Sequence, residues 1–200
     1  MRRSEEGFTL VEMIMVIVIT GIIGGIVAVF LKAPIQQYTD VARRADMTDI
    51  ADTALRRIGR DLRLALPNSV RVAGPCNGTA ACFIEFLPTK GGGRYRAGMG
   101  GDELDFAVAD SAFEVLGPMP TGLVTGTDQI VVYNLGIAGA NAYAGNAAAT
   151  HNRRPVSAVG ANSVSITSAN PLPFDSPGHR FHVVSTPVTY VCSPVAVGTG

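Results

Sequence analysis

The chain has no tryptophan, only three histidines and three cysteines, and no surplus of charge: 16 basic side chains stand against 16 acidic ones in 200 residues. That balance leaves out the basic footprint of a nucleic-acid-binding head, and no recognition helix or aromatic stacking platform takes its place. No zinc-type cysteine pair, G-x-S-x-G elbow or phosphate-cradling glycine loop occurs, and Gly91-Gly92-Gly93 lacks the spacing of a dinucleotide fingerprint. No nucleophile–base pair emerges either, so the sequence predicts a non-enzymatic protein with no catalytic residues, no metal and no cofactor. His179 and His182, three apart in an expected strand, should point to opposite faces, and His151 reads as a loop residue without a partner. Asp102, Glu103 and Asp105 read as a solvated acidic turn rather than a calcium site.

Charge is missing most conspicuously from one stretch. Between Phe8 and Leu31 the only charged residue is Glu12. A helix over these residues, about 24 in number, extends roughly 36 Å, enough to cross a hydrocarbon core of roughly 30 Å. A secretory signal fits poorly, since its apolar core runs to roughly 15 residues and ends at a small-x-small site. Here the exit at Leu31-Lys32-Ala33 offers Leu where a small residue is required, and Pro34 follows. Arg2 and Arg3 are offset by Glu5 and Glu6, and Lys32, Arg43 and Arg44 lie beyond the far end, so flanking charge leaves orientation open.

Where the short polar leader meets this run, the sequence reads Gly7-Phe8-Thr9-Leu10-Val11-Glu12-Met13. This junction resembles the cleavage and methylation signal of type IV prepilins. The resemblance implies that a prepilin peptidase cuts after Gly7 and methylates Phe8, and that Glu12 is the acid characteristic of the family. A carboxylate in a membrane helix costs on the order of 3 kcal/mol unless it is paired. The α-amine created on Phe8 of a neighbouring subunit would supply the cation and set axial register. The plainer alternative is that Glu12 snorkels to the headgroups from one turn inside the span.

Gly21 and Gly25 form a G-x-x-x-G spacing, with Gly24 beside it, that admits a second helix at close range. Pro34 is expected to kink or interrupt the helix just past the membrane. Beyond it Tyr38, Val41, Ala45, Thr48, Ala51, Leu55, Ile58, Leu62 and Leu66 recur at helical steps, with charged residues opposite and Pro67-Asn68 as the stop. The whole predicts one rod from Phe8 to Leu66, its second half the spine of a head.

After Asn68 the pattern changes to short β-like runs: 69–72, 82–87, 104–109, 113–116, 129–135, 164–167, 180–185 and 188–192. The predicted fold class is α+β, with the long N-terminal helix packed on an antiparallel β-sheet head. Residues 90–101 and 136–155 are expected as surface loops. Cys76 and Cys82 bracket a short Pro/Gly/Asn loop and are candidates for a disulfide in an oxidising compartment, the alternative being free or otherwise paired thiols; Cys192 is left over. The predicted organisation is a leader at 1–7, a transmembrane and filament-core helix at 8–33, an amphipathic spine at 34–67 and a β-rich periplasmic head at 68–200.

Two further segments carry a narrower resemblance. Asp46–Arg71, including Leu55-Arg56-Arg57-Ile58-Gly59-Arg60-Asp61-Leu62, and Phe181–Cys192 are similar to the MshO family of mannose-sensitive haemagglutinin pilus biogenesis. That family comprises minor pilins related to J-type pseudopilins of type II secretion. It implies a role in filament initiation, assembly or tip formation. It also implies as partners other major and minor pilins, the prepilin peptidase, the inner-membrane assembly platform and the lipid bilayer. Members usually continue past the point where this chain stops, so the C-terminus is expected to be incomplete. The competing readings are a type II secretion pseudopilin and a membrane-tethered periplasmic binding protein or adhesin.

Overall fold

The computed structural model describes residues 7–98, 100–144 and 151–194. Leader residues 1–6 and the C-terminal residues 195–200, both subjects of expectations above, lie outside the described residues. The chain divides into two compact units, Met1–Arg56 and Arg57–Gly200.

Helix α1 runs Leu10–Leu62, 53 residues, and Pro34 lies inside it. Of the kink or interruption expected at Pro34, the interruption does not occur. Proline removes one ladder donor at a cost of roughly 3 kcal/mol, and the unbroken ladder on either side outweighs that loss. The helix also ends four residues earlier than Leu66. Its last turn tightens through bonds from Arg63 N to Arg60 O (3.2 Å), Leu64 N to Asp61 O (3.0 Å) and Ala65 N to Leu62 O (3.1 Å). The next backbone groups then leave helical pairing: Leu64 O accepts from Thr89 N (2.7 Å) and Leu66 N donates to Leu87 O (2.8 Å). Sheet-like bonds thus replace the helical ones before Pro67 is reached.

Among the described residues the second unit holds nine strands, all paired antiparallel. β1 (Arg71–Ala73), β2 (Cys82–Phe86) and β9 (Val188–Cys192) form a three-stranded sheet in the order β1-β2-β9. β3 (Thr89–Tyr95), β4 (Ala112–Leu116), β5 (Gln129–Val132), β6 (Arg153–Val159), β7 (Ser163–Ile166) and β8 (Arg180–Val184) close into a barrel in the order β3-β4-β7-β6-β5-β8. Together with α1 they make the architecture α+β. Closure removes the edges that an open sheet would leave unpaired.

Alternation places Phe113 and Val115, Ile130 and Val132, Val164 and Ile166, and Phe181 and Val183 inside the barrel with Tyr95. Phe113 and Phe181 meet edge to face at 5.3 Å. A second cluster of Leu66, Leu87, Val131, Ala142 and Val184 lies outside the wall formed by β5 and β8, which are therefore buried on both faces.

Three expectations change. β3 occupies much of the stretch read as a loop at 90–101. Two of its glycines are required by packing, since a Cβ at Gly92 would stand 2.7 Å from the Phe181 carbonyl oxygen and one at Gly93 2.9 Å from the Phe181 ring. β6 likewise begins inside the expected 136–155 loop. Conversely, 104–109 is not a strand: Asp105 Oδ1 accepts from Ala107 N (2.6 Å) and Asp110 Oδ2 from Asp105 N (2.9 Å). Aspartate side chains there capture the backbone donors that a strand would need.

Candidate functional site

Gly7, Phe8 and Thr9 precede the first helical residue and are exposed. Thr9 caps the helix: its Oγ1 accepts from Glu12 N (3.3 Å) and its carbonyl from Met13 N (3.2 Å). Thr9-Leu10-Val11-Glu12 thus has the spacing of a capping box, with the acid in the first turn where the helix dipole favours it. Sequence reading singled out Glu12 and passed over Thr9, although an S/T-x-x-E run before an apolar stretch was the available signal.

Phe8, Glu12, Met13, Val16 and Ile17 line a groove of about 210 Å³. Its walls are apolar except for the Glu12 carboxylate, which has no ion pair or hydrogen-bond acceptance among the described residues. Such a groove suits an apolar segment that brings a cation with it. Gly7 is equally open, with nothing within 4 Å of an added Cβ, so the Gly7–Phe8 bond is accessible.

Gly21 and Gly25 stand one helical turn apart and also meet nothing within 4 Å. They are roughly 14 Å or more along the axis from Glu12, so the structure does not bring these residues into one cluster. The helix contains a window of mean hydropathy 2.9 and is long and apolar enough to cross a membrane.

The head holds the remaining candidates. Cys76 and Cys82 are joined by a disulfide, and Cys192 is a free, exposed thiol. No group of three or more metal-capable side chains occurs among the described residues. His179 is not in a strand; it precedes β8 at φ 50°, beside Asp175 (3.4 Å) and edge-on to Tyr95. His182 lies in β8, where burial and the neighbouring Arg180 hold its pKa below the usual value. His151, expected to have no partner, is fully buried with Nδ1 against the Arg153 backbone, and burial lowers its pKa too.

Comparison with known families matches the chain to the prokaryotic N-terminal methylation motif over residues 2–28. No curated protein and no solved structure matches the chain. The matched stretch contains the Gly7–Phe8 junction, the Thr9 cap and Glu12, so the chain carries a prepilin-type N-terminal motif, a signal that supports a type IV pilin-like protein and implies a prepilin peptidase substrate.

Proposed function

We propose that the chain is a minor pilin of a mannose-sensitive haemagglutinin type of pilus, acting in filament initiation, assembly or tip formation. The observation that carries the pilin reading is the methylation motif at 2–28 over the capped start of α1, where Glu12, the one acid of the apolar run, has no ion pair among the described residues. The similarity of Asp46–Arg71 and Phe181–Cys192 to the MshO family supports the narrower assignment. On this reading residues 1–7 are removed and 8–33 form the membrane and filament-core segment. Residues 34–67 are then the spine, and 68–200 a periplasmic head that later joins an extracellular fibre.

Glu12 is then the register element. Its carboxylate costs on the order of 3 kcal/mol in hydrocarbon. An ion pair at 4 Å in an effective dielectric near 20 returns about 4 kcal/mol. The partner is the α-amine of Phe8 on a second subunit, and Gly21 and Gly25 give a neighbouring helix room to approach. Pairing favours the one axial offset that brings amine to acid.

Mass spectrometry of the membrane-extracted protein tests the processing, and the expected product begins at N-methylated Phe8. Retention of the leader in assembled fibres sinks the pilin reading. Glu12→Leu should abolish incorporation while leaving the head folded. Deletion of the gene should lower the count of haemagglutinin-type pili. An unchanged pilus count with lost secretion would move the assignment to a type II secretion pseudopilin.

A further inference from the structure

The three cysteines converge on one end of the β1-β2-β9 sheet. Cys76 and Cys82 are disulfide-bonded across a sequence separation of 6, and Cys192 in β9 is the direct register partner of Cys82 in β2. Opposed residues of an antiparallel pair project to the same face with Cα atoms about 4.5 to 5.5 Å apart. That spacing lies within the roughly 4.4 to 6.8 Å over which two cysteines can be bridged. Since Cys192 is free and exposed, two partners compete for one sulfur.

The present pairing holds Cys76 at φ 48°, in the left-handed region that residues with a Cβ rarely occupy. Residues 71–80 around it are exposed, so little packing opposes rearrangement of the loop. The β2–β9 register, by contrast, runs unbroken from Phe86↔Val188 to Cys82↔Cys192. The attacking residue is therefore positioned by a strand, and the leaving residue sits on a loop.

We infer that Cys192 is the nucleophile of an intramolecular thiol–disulfide exchange centred on Cys82. The Cys192 thiolate attacks Sγ of Cys82, and the Cys82–Cys192 bond forms as the Cys76–Cys82 bond breaks. The electron pair leaves on Sγ of Cys76, which takes up the proton that Cys192 released. One disulfide and one thiol enter and the same number leave, so no oxidant or reductant is consumed.

The two states differ in what is stapled. With Cys76–Cys82, a small surface loop is cross-linked and β9 is held by backbone pairing and side-chain contacts alone. With Cys82–Cys192, β9 is tied covalently to β2 across about 110 residues, a longer closed loop that constrains the unfolded chain more strongly. β9 also carries Tyr190, whose hydroxyl donates to Asp61 near the end of α1. The exchange therefore fixes or frees the strand that makes this contact.

The test uses the full chain in detergent, without added thiol and under anaerobic conditions. Samples held at rising pH are acid-quenched, labelled with N-ethylmaleimide and mapped without reduction. Label should move from the Cys192 peptide to the Cys76 peptide, faster at higher pH because the thiolate attacks, and at a rate independent of protein concentration. Cys76→Ser, oxidised with diamide, should yield the Cys82–Cys192 disulfide, and Cys192→Ser should keep Cys76 unlabelled throughout. Label that stays on Cys192 at every pH overturns the exchange whatever the variants do, and a rate that scales with concentration overturns its intramolecular character.

Discussion

From Gly7 to Arg57 every side chain whose burial is described is exposed, including Met13, Ile17, Ile22, Phe30 and Leu55. From Arg57 onward the chain builds two buried clusters around a closed barrel. The helix meets its backbone needs internally and leaves its apolar side chains exposed, which is also what a helix that crosses a membrane requires. The head buries its apolar side chains against itself. The same kinds of hydrophobic residue are thus left exposed in one region and buried in the other.

The comparison breaks first if the head is not self-sufficient, and the barrel aromatics test that. Phe181→Ala removes a ring packed on Phe113 and against Gly93, with an expected loss of about 3 to 5 kcal/mol. Denaturant melts of the full chain in detergent should show the head transition displaced and the helical ellipticity retained. Loss of both signals in a single transition would show the two regions to be energetically one. Gly93→Ala, which forces a Cβ into that ring, should cost about 1 to 3 kcal/mol.

Polar burial sharpens the contrast, because the described helix to Arg57 has none. Arg154 is buried and donates to the carbonyls of His151 (2.5 Å), Asn170 (3.0 Å) and Pro171 (3.0 Å) and to Ser168 Oγ (2.9 Å). Arg154→Ala leaves those acceptors dry, at an expected cost of about 2 to 3 kcal/mol. Arg154→Lys should recover little of it, since one ammonium cannot span the four acceptors. A lysine variant as stable as wild type would show that the planar fork is not what ties these loops together.

These residues also mark how far the sequence could be read. The apolar run, its single acid and the alternation in Phe113–Val115 and Phe181–Val183 are local patterns, and each specified its element. Barrel closure was not legible, because it depends on strands pairing far apart in sequence, such as β3 with β8. β3 itself was hidden by three glycines, of which Gly93 lies against the Phe181 ring, Gly92 against the Phe181 carbonyl and Gly91 against Pro120. The end of α1 was misplaced for a related reason: Leu66 keeps the helical pattern, but the backbones of Leu64 and Leu66 bond to Thr89 and Leu87. At the N-terminus nearly everything was local, and the one omission, Thr9, was a cap masked by the interest of its neighbour Glu12.

Thr9 offers a smaller test on the helical side. Thr9→Ala should cost the helix about 1 kcal/mol, seen as faster amide exchange over its first turn, with the head transition unmoved. If the head melt shifts as well, the two regions do not respond separately to local change.

The shallowest expected effect is on pH, and it belongs to the head alone. His182, beside Arg180, and His151, near Arg153 and Arg154, both have pKa values lowered in the folded state, with burial the largest cause. In the unfolded chain each takes up its proton near the ordinary value of 6.5, while the folded form does not. Below that point the unfolded state binds more protons, so stability present above it is lost progressively as pH falls. Denaturant midpoints measured between about pH 7 and pH 5.5, above the range where carboxylates dominate, should decline. His182→Gln should flatten that decline in part, whereas the hydrogen-exchange protection of the helix, which contains no histidine, should hold constant across the same range.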